Sequence, residues 1–86
     1  MKDAIREVLR KHARLGVDVD TLSSDSDLYF AGMTSHTTVN VMLALENTFE
    51  IEFPDHLLRR GVFESIDSIH RAIESLRPAG DARMTG

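Results

Sequence analysis

One helical period, opening at Ser35 and cut off by Pro54, constrains this chain more than any other feature. Between Ser35 and Glu50 the apolar residues Val41, Met42, Leu45 and Phe49 recur at the spacing of one helix face, and Thr38 and Thr48 extend it. A helix of that length spans about 24 Å. Val39, Leu43 and Glu46 form a second stripe, rotated from the first. A single small core uses one stripe, so the second reads as a wide buried face or as a hydrophobic strip for a partner. In front of the helix lies a loop carrying Leu28, Tyr29, Phe30 and Gly32. Ser35 therefore stands at a helix start, where a serine is either a cap or an attachment point. A phosphodiester on its hydroxyl would meet free backbone N–H groups at the positive end of the helix.

The rest of the chain supplies partners for that helix. Ile5, Val8 and Leu9 share one face of a helix expected over residues 3–15, with Asp3 as its cap and Gly16 at the position past its end. Residues 16–34 keep no helical or strand period. They read as a long crossing loop, with the SSDSD run as turn formers and Val19, Leu22, Leu28 and Phe30 as anchors. Residues 55–60 read as a short helical turn capped by Asp55, anchored by Leu57 and Leu58 and closed by Gly61. Ser65 is a cap candidate with Asp67 in the first turn after it, and Ile66, Ile69, Ile73 and Leu76 pattern a last helix. The expected architecture is an all-α, four-helix bundle of three main helices, one short helix and a long loop after the first. The expected domain is 1–76, followed by a disordered tail over 77–86.

Eighty-six residues hold one core and little room for an enclosed enzyme pocket. The formal charge of -4 argues against nucleic acid. A chain with no cysteine has no CxxC-type metal or redox site and no disulfides. The charged N-terminus lacks an apolar signal core, and no run reaches the length of a membrane span, so a cytoplasmic monomer is expected.

Ser35 lacks the GxSxG elbow of a hydrolase, and the adjacent His36 would not face it on a helix, so no catalytic role is assigned. His12, His36, His56 and His70 have no ligand spacing and read as surface histidines; no metal site is expected. Asp18, Asp20, Asp25 and Asp27 fall short of a calcium loop and read as turn and cap residues. Arg59-Arg60 is a small basic spot close to the second stripe.

From Asp27 through Gly32-Met33-Thr34-Ser35 to Val41-Met42-Leu43-Ala44-Leu45-Glu46 and Phe49-Glu50-Ile51-Glu52-Phe53-Pro54-Asp55, the sequence resembles an acyl carrier protein. Phe63-Glu64-Ser65-Ile66-Asp67 is similar to that family's approach to its last helix, and the resemblance covers about residues 3–76. It implies a four-helix bundle in which Ser35 carries 4′-phosphopantetheine taken from coenzyme A. Where the general motif GxDSL has Asp and Leu around the serine, this chain has Thr34 and His36. Thr before the serine is normal in bacterial aminoacyl carrier proteins, which the run from Gly32 to Arg60 is similar to.

The resemblance implies a non-catalytic carrier holding an acyl or aminoacyl group, such as glycine or alanine, as a thioester on the prosthetic arm. Its implied partners are a phosphopantetheinyl transferase, a loading ligase related to class II aminoacyl-tRNA synthetases and a downstream acyl-accepting enzyme. The docking face is expected to comprise Thr34, His36, Val39, Asn40, Leu43, Glu46 and Asn47, with Leu58 and Arg59 of the short helix. Altered charge there implies partners other than those of ordinary fatty acid synthases. The alternatives are a carrier for a dedicated fatty acid or polyketide pathway, a small hydrolase, or a helical interaction domain in which Ser35 is only a cap. On the carrier reading, Ser35→Ala should lose a cap of about 1 kcal/mol and abolish loading.

Overall fold

The computed structural model describes residues 1–76; the tail expected over 77–86 lies outside the described residues. Three α-helices, α1 (Lys2–His12), α2 (Ser35–Phe49) and α3 (Ile66–Leu76), are joined by a long loop and by short 3₁₀ turns, with no strand among the described residues. α1 packs against both α2 and α3. Ile5, Val8 and Leu9 meet Val41 and Leu45 of α2 and Ile66, Ile69 and Ile73 of α3, all buried. Phe53 and Phe63 close one end, edge to face with ring centres 5.4 Å apart.

α1 ends earlier than its sequence suggests. Met1 precedes it without a side-chain cap, so Asp3 lies inside the first turn. The left-handed position past its end falls to Arg14 (φ 53), not to Gly16. Gly16 instead donates its amide to the Ala31 carbonyl at 3.0 Å and lies against Gly32. Gly32 has φ 124, and a Cβ there would stand 3.0 Å from the Gly16 nitrogen. Only glycine permits both the angle and the approach.

The 16–34 loop is held from two sides. Arg6 of α1 donates to the carbonyls of Val19 and Leu22, at 2.8 and 3.0 Å. The Leu28 amide donates to the Glu64 carbonyl, and the Asp67 amide to that of Ser24, at 2.7 and 2.9 Å. Val19 and Leu28 are buried as expected and Leu22 is half-buried, but Phe30 is 93% exposed. The Asp27 carboxylate accepts the amides of Tyr29 and Phe30 and winds a tight turn here. That turn sends Leu28 inward and Phe30 outward, and Met33 takes the anchoring place expected of Phe30. Asp18 likewise accepts the Asp20 amide, as a turn former.

In α2 the buried positions are Thr37, Val41 and Leu45, while Thr38 is half-buried and Thr48 exposed. The core face is therefore rotated from one containing Thr38 and Thr48. Glu50 ends the helix in a left-handed conformation (φ 54). After Pro54 the chain makes a 3₁₀ turn over Asp55–Leu57 and another over Arg60–Val62. Asp55 provides no side-chain cap, and Gly61 lies inside the second turn. Arg59, extended at φ -131 and ψ 153, separates them, so no continuous short helix spans 55–60. Leu57 packs on the core, whereas Leu58 is exposed. Ser65 caps α3, its hydroxyl accepting the Ser68 amide at 3.0 Å.

Candidate functional site

The start of α2 is built by two threonines. The Thr34 hydroxyl accepts the Thr37 amide at 3.1 Å, and the Thr34 amide donates to the Thr37 hydroxyl at 2.9 Å, a reciprocal capping box. Thr37 is buried, so the cap is locked into the core. The cap is thus Thr34 and not Ser35, which corrects the sequence expectation. Ser35 is the first helical residue, exposed, with no hydrogen-bond partner for its hydroxyl among the described residues. Its own amide and that of His36 belong to the first turn, whose N–H groups point out of the helix without intrahelical acceptors.

Beside this hydroxyl lies an open cleft of about 330 Å³ between α2 and the segment 58–63. One wall is a single face of α2, formed by Ser35, Thr38, Val39 and Met42. The other is Leu58, Arg59, Arg60 and Phe63, and Tyr29 of the long loop closes an end. The Arg60 guanidinium lies over the Tyr29 ring, 3.8 Å from its centre. The Tyr29 hydroxyl accepts a long hydrogen bond from Thr38 at 3.4 Å.

Of the residues expected in the site, the cleft brings together Ser35, Val39, Leu58 and Arg59. Thr34, His36, Asn40, Leu43 and Asn47 are exposed but do not line it. Val39 and Leu43 are about half exposed, so the second stripe of α2 is a surface strip rather than a wide buried face. Glu46 departs from that strip, because its carboxylate accepts the Phe53 amide at 2.8 Å and ties α2 to the chain before Pro54. Sequence reasoning missed Tyr29, Thr38, Met42, Arg60 and Phe63 as lining residues. The spacing of Ser35, Val39 and Met42, four and then three residues apart, places them on one helix face and was a usable signal. Nothing local in the sequence brings Tyr29 or Phe63 to that face.

Among the described residues, no hydrogen bond joins Ser35 to a histidine, and no group of three or more His, Cys, Asp or Glu could hold a metal ion. No helix among them is long and apolar enough to cross a membrane. What the site does offer is an accessible hydroxyl, relieved of capping, beside outward-pointing helix amides. This donor set suits a phosphodiester on Ser35.

Residues 3–71 match a family model described as the phosphopantetheine attachment site. Over 82 residues the chain is 42% identical to the aminoacyl carrier protein of Agrobacterium fabrum, covering 95% of this chain and 99% of that one. Its fold matches a chain in the crystal structure of an engineered Bradyrhizobium japonicum glycine:[carrier protein] ligase complexed with carrier protein from Agrobacterium tumefaciens and AMP. That match has a TM-score of 0.84 and 44% identity over 86% of this chain and 99% of that one. A solution structure of the Agrobacterium tumefaciens protein ATC2521 matches with a TM-score of 0.73 and 42% identity, over 94% of this chain and 96% of that one.

Proposed function

The chain belongs to the phosphopantetheine-attachment family of carrier proteins, and from that premise we propose that Ser35 is the attachment residue of an aminoacyl carrier loaded by a dedicated ligase. The observation that carries the assignment is the division of labour at the start of α2. Thr34 caps the helix, so Ser35 is exposed and free to be esterified. The protein is a carrier and not an enzyme. Phosphopantetheine supplies the terminal thiol that a chain without cysteine lacks, and holds the cargo as a thioester. The chain's own residues do the rest. Thr34 and Thr37 hold the helix start rigid, and the amides of Ser35 and His36 face the phosphodiester. Tethering raises the effective concentration of the cargo at each partner enzyme.

The glycine:[carrier protein] ligase complex that contains a similar chain supports a small amino acid, glycine or one close to it, as the cargo. The ligase meets the exposed strip of Val39, Asn40, Leu43 and Asn47, flanked by Thr34 and His36 at the helix start and by Leu58 and Arg59 across the cleft. Glu46 supports that face by holding the chain before Pro54 against α2. The carrier unit is residues 1–76, acting as a cytoplasmic monomer. On this reading the two 3₁₀ turns, Asp55–Leu57 and Arg60–Val62, serve in place of the short helix of a four-helix bundle. A phosphopantetheinyl transferase and a downstream acyl-accepting enzyme complete the set of partners.

The test is the intact mass after incubation with coenzyme A and a broad-specificity phosphopantetheinyl transferase. The wild type should gain one phosphopantetheine and Ser35→Ala none. A gain retained in Ser35→Ala would move the attachment elsewhere. No gain in either, repeated in lysate of the native host, would end the assignment.

A further inference from the structure

The cleft beside Ser35 has an unusual charge for a protein of net charge -4: Arg59 and Arg60 line it, and no carboxylate does. Among the described residues neither guanidinium is in an ion pair. The Arg60 guanidinium is instead stacked on the Tyr29 ring, 3.8 Å from its centre. Stacking leaves the edge N–H donors of an arginine available to an oxyanion. Apart from the Thr38 and Tyr29 hydroxyls the remaining lining is apolar, with Val39, Met42, Leu58 and Phe63.

We propose that this cleft cradles the phosphate-bearing root of the prosthetic arm, with Arg59 and Arg60 as its anion-binding side chains, and that the same charges keep the ammonium of a carried amino acid out of it. The inference rests on the assignment of Ser35 as attachment residue and adds a chemical polarity to it. The phosphodiester is anionic and starts at the Ser35 hydroxyl, on the rim of the cleft. The branched hydrocarbon next to it matches the apolar wall. An aminoacyl thioester ends in a cation, which the positive charge left by two guanidinium groups on a singly charged phosphodiester repels. Such a cleft holds the arm by its root and leaves the amino acid outside, accessible to an acceptor enzyme. A neutral acyl group meets no such repulsion and can fold back onto Met42 and Leu58.

The experiment compares ¹⁵N-labelled apo protein with protein loaded from coenzyme A, acetyl-coenzyme A and glycyl-coenzyme A by the transferase, each state verified by intact mass. Attaching the arm should shift the side-chain Nε–H signals of Arg59 and Arg60 and the amides of Val39 and Met42. In the Arg59→Gln/Arg60→Gln variant, which retains the dispersed signals of the folded protein, the shifts of the α2 wall should be lost. The acetyl form should add shifts at Met42 and Leu58 that the glycyl form lacks. Arm attachment on Ser35 with unmoved arginine signals would overturn the cradle while leaving the attachment assignment intact. Equal cleft shifts from the acetyl and glycyl forms would overturn the charge exclusion. Failure of Ser35 to take up the arm at all would remove both readings together.

Discussion

The hydroxyl of Thr34 and the hydroxyl of Ser35 are neighbours with opposite duties. Thr34 accepts the Thr37 amide and Ser35 accepts nothing among the described residues. Thr34→Ala should therefore destabilise the protein by about 1 kcal/mol, whereas Ser35→Ala should stay within about 0.5 kcal/mol of wild type; urea unfolding of the two variants measures the difference. This reverses the cap loss expected from the sequence for Ser35. Both Thr34-x-x-Thr37 and Ser35-x-x-Thr38 are plausible capping pairs on paper. The core decides between them, since only the first buries Thr37 in line with Val41 and Leu45. Gly32 is the second residue with a fixed duty. Gly32→Ala would need φ 124 and a Cβ 3.0 Å from the Gly16 nitrogen, and should cost about 1–3 kcal/mol. Gly16→Ala, whose Cβ would meet only the Ala31 oxygen at 3.8 Å, should be nearly silent in the same assay.

Among the elements, α1 and α3 follow their hydrophobic spacing closely, α2 does so with its core face rotated onto Thr37, and the connections do not. α1 and α3 present Ile5, Val8, Leu9, Ile66, Ile69 and Ile73 to the core as their periods require. In the 16–34 loop, side-chain direction follows hydrogen bonds instead. Asp27 accepts two successive amides, which places Leu28 inside and Phe30 outside. Leu28→Ala should then cost about 2–5 kcal/mol, and Phe30→Ala no more than about 0.5 kcal/mol, by thermal or urea unfolding. A Phe30→Ala loss as large as that of Leu28→Ala would contradict the exposed placement. Arg6 binds this loop to α1 through the Val19 and Leu22 carbonyls, beside the more exposed Arg10–Asp20 pair. The partners of Arg6 lie far along the chain, so no local pattern marks it among the other charged residues of α1. The stretch after Pro54 reads as one helical turn but becomes two 3₁₀ turns, because extended Arg59 interrupts the hydrogen bonding.

Across the whole molecule, one carboxylate joins the N-terminal helix, the loop and the last helix. Asp67 pairs with Lys2 at 2.8 Å and accepts the Ser24 hydroxyl at 3.2 Å. The Lys2 hydrogen bond holds its carboxyl below the ordinary aspartate range; burial opposes this, and Ser24 and the charges of Lys2 and Arg71 reinforce it. A depressed carboxyl pKa stabilises the folded state above the unfolded pKa, and that contribution is lost as pH falls through the folded value. Asp67→Asn should thus lower the thermal midpoint at pH 7, and the gap to wild type should narrow steadily below about pH 4. A gap that stays constant into acid would rule out the ionised pair as its source. By itself, the sequence determined the helical class, the three amphipathic segments and the family it resembles, through the run from Gly32 to Asp55. Those features are carried by spacing and by contiguous residues. Tertiary structure alone decided which hydroxyl caps α2, which loop residues are anchors, and the gathering of Tyr29, Arg60 and Phe63 onto the Ser35 face of α2. Each of these depends on groups distant in the chain competing for the same buried space or the same hydrogen bond. No local pattern encodes the outcome of that competition.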